Sequence, residues 1–115
     1  MQEQSAGLET EILQEMAEAL GNAGIRVEQA LDRIQSSKDR IEDLKRRLEA
    51  SPQEAQRQVL QNQLRDEIDR YNALREEAIT HYRNLIIHRE AVGFRKHKLM
   101  EEKYRIPERM EISVE

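Results

Sequence analysis

A chain of 115 residues with 37% charged side chains, 3% aromatics and a mean hydropathy of −0.90 is poor material for a globular core, which leaves a disordered chain or long solvated helices. Its 19 basic and 23 acidic residues are mixed along most of the sequence and sum to −4, so charge gives no global bias toward nucleic acid or anionic lipid. A sustained apolar period favours helices over disorder.

The sequence has no cysteine, which excludes a disulfide framework, a thiolate zinc site and a cysteine nucleophile. The first twenty residues carry Glu3, Glu9, Glu11, Glu15 and Glu18, and the first basic residue is Arg26, so they lack the pattern of a secretory leader and a cytoplasmic location is expected. The longest aliphatic run, Leu85-Ile86-Ile87, falls far short of the roughly 20 residues that a membrane span needs.

From Leu13, every seventh residue is aliphatic: Leu13, Leu20, Val27, Ile34, Ile41, Leu48. Three residues after each lies a second seam position, held by Met16, Ala23, Ala30, Ser37 and Leu44, which makes an a/d coiled-coil pattern with small residues at three consecutive turns. The pattern predicts one helix over about 6–49. Gly21 and Gly24 are its weak point, each costing about 1 kcal/mol relative to alanine, but the heptad phase passes through them without a slip.

Ser51-Pro52-Gln53-Glu54 reads as a capping box, with serine as N-cap, proline at the first helical position and glutamate at the third. A turn at 50–51 followed by a second helix over about 52–105 is therefore predicted, and so short a connection gives an antiparallel hairpin. In the second arm Val59 or Leu60, Leu64, Ile68, Tyr71, Leu74, Ala78, Tyr82 and Leu85 continue at three- and four-residue spacings, followed by Val92 and Leu99 at sevens. Pairing about residue 51 places residue i of the first arm beside approximately residue 103 minus i of the second. By that arithmetic the end of the second arm, from about residue 95, projects beyond the first. The tail 106–115 is left open between disorder and docking of Met110, Ile112 and Val114 on a neighbour.

The expected fold class is thus all-α, a long helical hairpin forming a single domain. Apolar positions off the main seam at the open end, among them Leu8, Ile12, Ile79, Ile86, Ile87 and Phe94, predict a homodimer that pairs as a four-helix bundle. No glycine-rich phosphate loop or nucleophile motif is present, so no catalytic residue, cofactor or small-molecule substrate is expected. His81, His88 and His97 supply too few ligands at metal-binding spacing, so no metal is expected either.

What remains is a non-enzymatic interaction protein, an adaptor, chaperone or structural unit, that offers the last part of the second helix to a protein partner. The candidate partner-binding residues are Ile86, Ile87, Phe94, Leu99 and Tyr104. The alternative is a nucleic-acid-binding dimer that contacts phosphates through Arg89, Arg95, Lys96, Lys98, Lys103 and Arg105.

Overall fold

A computed structural model describes residues 2–112, with side chains from residue 7 onward. Two long helices, α1 (Gln2–Ala50) and α2 (Glu54–Ala91), pack against each other as a hairpin, and a short helix, α3 (Lys98–Lys103), follows. There is no strand among the described residues, and none of their helices is long and apolar enough to cross a membrane. The molecule is a rod of 79 × 22 × 17 Å.

The seam of α1 is buried at Ala23, Val27, Ala30, Ile34, Ser37 and Ile41, alternating four- and three-residue steps as a helix facing one neighbour must. Across it lie Leu60, Ile68, Tyr71, Leu74, Ala78 and Leu85 of α2. The helix runs unbroken through Gly21 and Gly24. Ala30 and Ala78 share one buried cluster with Tyr71 and Leu74, and Ala23 shares another with Leu85.

The register differs from the simple arithmetic. Arg33 pairs with Glu77 at 3.8 Å and Arg40 with Glu67 at 3.3 Å, where pairing about residue 51 places residues 70 and 63. The three-residue connection, 51–53, accounts for part of this shift. The capping box does not form: the N-cap of α2 is Gln53, in extended geometry at φ −92°, ψ 130°, and the Ser51 hydroxyl is buried without a partner. Arg57 holds the turn instead, its guanidinium donating to the Leu48 carbonyl at 2.7 Å and the Ser51 carbonyl at 3.3 Å. It thereby satisfies carbonyls that the end of α1 leaves open.

The largest correction concerns the second helix, which stops at Ala91 and not near 105. Gly93 takes φ +103°, its N–H donates to the Glu90 carbonyl at 3.0 Å, and the Phe94 N–H donates to the Arg89 carbonyl at 2.9 Å. This pair of bonds is a Schellman motif, which glycine closes without the penalty that a Cβ carries there. The chain then doubles back through α3 and lays 105–112 along the hairpin. Ile106, Met110 and Ile112 pack against the Ala30–Tyr71 cluster, so this part of the tail is ordered on its own molecule; Val114 lies outside the described residues.

Candidate functional site

The reversal at Gly93 inverts the expected overhang, because the helix left without a partner is α1. Past the end of α2 its seam continues through half-buried Met16 to Leu13, which is 66% exposed, and Leu8 and Ile12 beside the seam are 59% and 47% exposed. Of the eight large apolar side chains exposed among the described residues, Val59 alone belongs to the turn end of the rod. The other seven are Leu8, Ile12, Leu13 and Ile25 of α1 and Ile87, Phe94 and Leu99 of the tip, which comprises the end of α2, its reversal and α3.

The tip is a built structure. Arg89 stacks its guanidinium 4.5 Å from the Phe94 ring centroid, donates through Nη2 to the Lys96 carbonyl at 3.2 Å, and donates through Nε to His97 Nδ1 at 3.3 Å. With Nδ1 accepting, the neutral imidazole carries its proton on Nε2, 3.2 Å from Glu90 Oε1. Arg89 is therefore spent on ordering the loop 94–97. Behind that loop, Tyr82, Ile86 and Ile87 form the floor of an apolar hollow rimmed by Arg83, His97 and Glu101. Burial raises the Tyr82 phenol above its ordinary pKa, with Glu101 adding to the effect and Arg89 opposing it.

The candidate partner-binding residues separate into two groups. Ile86, Ile87, Phe94 and Leu99 belong to the tip, and the last three are exposed, Leu99 at 71%. Tyr104 is not available to a partner: it is buried against Ala23, Val27 and Leu85, and its hydroxyl donates to Glu28 Oε1 at 3.0 Å. The small stretch at Ala23 and Gly24 accommodates it, a Cβ at Gly24 falling 3.7 Å from the Tyr104 oxygen.

The candidate anion contacts do not form one strip. Arg95, Lys96 and Lys98 are exposed at the tip, in the loop 94–97 and at the start of α3. Lys103, 5.2 Å over the Tyr104 ring, and Arg105 lie on the α1 side, around a hollow shared with Leu31, Ile34 and Lys38. Continuous helix was the premise that joined these residues, and the stop at Gly93 removes it.

Sequence reasoning missed the seat of the tail. Asn72 Nδ2 donates to the Met110 carbonyl at 2.8 Å while Asn72 Oδ1 accepts from the Met110 N–H at 2.9 Å, so one side-chain amide pairs with the backbone of an extended residue as a neighbouring strand would. Arg75 Nε donates to the Pro107 carbonyl at 2.8 Å and the Tyr71 hydroxyl to the Glu108 carbonyl at 3.2 Å. Burial raises the Tyr71 pKa, partly offset by Arg75. These three residues lie at 71, 72 and 75 on consecutive faces of α2, and no local pattern marks an asparagine as a backbone clamp.

Among the described residues, no three His, Asp or Glu side chains come together as metal ligands. The fold and its exposed end define a class: a two-helix hairpin strapped by its own extended C-terminal segment, with one helix left unpaired at the open end. No protein-family model, curated protein or solved structure compared with the chain matches it.

Proposed function

We propose that the protein is a non-enzymatic interaction module, an adaptor, chaperone or structural unit, that works through its open end and pairs there into a dimeric four-helix bundle. The observation carrying this reading is that the seam of α1 continues in phase to Leu13 after α2 has ended, with Leu8 and Ile12 exposed beside it. A contiguous apolar stripe left open on a narrow rod is the surface that association covers. The nucleic-acid alternative finds less support, because Arg89 is engaged within the loop 94–97 and Lys103 and Arg105 line a hollow on the α1 side that Arg95, Lys96 and Lys98 do not share.

Light scattering on the purified chain tests this. A dimer is expected, and Leu13→Asp is expected to return it to a monomer with its helical circular dichroism intact. A wild-type protein that stays monomeric up to high micromolar concentration would overturn the reading, and a salt-sensitive complex with a mixed oligonucleotide pool would favour the alternative.

A further inference from the structure

The open end offers two apolar surfaces, and their charges differ. Between residues 7 and 25, α1 carries Glu9, Glu11, Glu15 and Glu18 and no basic residue. Glu11, Glu15 and Glu18 follow one another at four- and three-residue steps, so they form a single acidic row flanking the stripe of Leu8, Ile12 and Met16. The tip has the opposite sign: from 83 to 103 it carries Arg83, Arg89, Arg95, Lys96, Lys98 and Lys103 against Glu90, Glu101 and Glu102. The four arm carboxylates and Arg83, Arg95, Lys96 and Lys98 are all exposed, and among the described residues none of them has an ion-pair partner.

Resting on the reading that the open end self-associates, we infer that the acidic arm of α1 docks on the basic, apolar tip of a second copy, reciprocally about a two-fold axis. The arm's aliphatic stripe lies over Ile86, Ile87 and Phe94, and its glutamate row faces Arg95, Lys96 and Lys98. One observation selects this pairing over arm against arm, and a second selects it over the arm's own tip. Arms laid side by side bring two acidic rows together with no cation between them, and like charges across an interface count against it. An arm also cannot fold onto its own tip, because α1 is one unbroken helix from Gln2 to Ala50 and carries the arm away from the end of α2. Only a second copy supplies the complementary surface.

Charge exchange on the full-length chain tests the pairing. The double variants Lys96→Glu/Lys98→Glu and Glu11→Lys/Glu15→Lys are each expected to weaken the dimer about tenfold or more, because each sets like charges against each other. Mixed one to one, they are expected to recover wild-type affinity as a heterodimer, since every arm then meets a tip of opposite sign. Circular dichroism confirms that both fold. If both variants dimerise as tightly as wild type, or if mixing restores nothing, arm-to-tip docking is wrong while self-association stands. If the wild-type chain is a monomer, the underlying reading has failed instead.

Discussion

The seam of α1 is sealed from Ala23 to Ile41, yet at Leu13, in the same apolar period, it is open, with Leu8 and Ile12 exposed beside it. Leu13 holds the same heptad position as Val27, Ile34 and Ile41, so its place in the helix does not separate it from them. The difference is made on the opposite arm of the hairpin, where Gly93 halts α2 and turns the chain back to cover the already paired region with Tyr104, Ile106, Met110 and Ile112. A hydrophobic period states that a helix face wants a neighbour, and it leaves open whether that neighbour comes from the same chain.

Matching substitutions on the two sides of that boundary break the comparison most sharply. Val27 is fully buried, so Val27→Asp sets an unpaired charge in the closed seam and should cost about 3–5 kcal/mol, enough to unfold so narrow a hairpin. Leu13→Asp changes a residue that already meets water and should alter monomer stability by less than about 0.5 kcal/mol. Urea titration followed by circular dichroism reads both. If Leu13→Asp unfolds the isolated chain as readily as Val27→Asp does, the arm is not free and the contrast between the two regions is false.

The strap is the next place to press, because it thickens one region and leaves the other bare. Asn72→Ala removes both halves of the clamp on Met110 and leaves that peptide group to find water, at a cost of about 1–3 kcal/mol. The loss should be local: hydrogen exchange at the Met110 amide accelerates while amides around Ile34 and Ile41 keep their protection. Equal acceleration at both places would mean that strap and hairpin unfold as one unit.

Gly93→Ala addresses the boundary itself. An alanine forced into the left-handed region costs about 1–2 kcal/mol, and the chain can escape by giving up the Schellman turn. Cleavage in 94–97 under limited proteolysis should rise as that loop loosens. An unchanged cleavage pattern would show that the turn owes little to glycine.

Much of this was legible in the sequence, and what escaped did so for identifiable reasons. The seam of α1 and the reversal near Pro52 followed from period and turn chemistry. The end of α2 did not, because Val92 and Leu99 preserve helical spacing across the break and drew attention from the glycine between them. The signal was present in Gly93 following His88 and Arg89, a positive-φ residue after a basic last turn. Once that stop is missed, Tyr104 joins the exposed candidates and the basic residues fuse into one strip. The strap's place, by contrast, depends on a groove made by two helices, and only the alternation of Met110, Ile112 and Val114 hinted that the tail would dock.

The smallest effect lies in α1 where the closed region gives way to the open one. Gly21 and Gly24 are both helical, and a Cβ at Gly21 meets nothing within 4 Å, so Gly21→Ala should gain about 0.5–1 kcal/mol from backbone entropy alone. At Gly24 the added methyl touches the Tyr104 oxygen at ordinary contact distance, 3.7 Å, beside its bond to Glu28, so the same substitution should gain no more and anything larger should lose. Thermal melts of Gly21→Ala, Gly24→Ala and Gly24→Leu order these outcomes. Full tolerance of leucine at 24 would mean that Tyr104 can leave its seat, and the boundary would then be set by Gly93 alone. Selective loss at 24 would show that α1 is kept small there to hold the returning chain, which ties the sealed length of the seam to the length of arm left open.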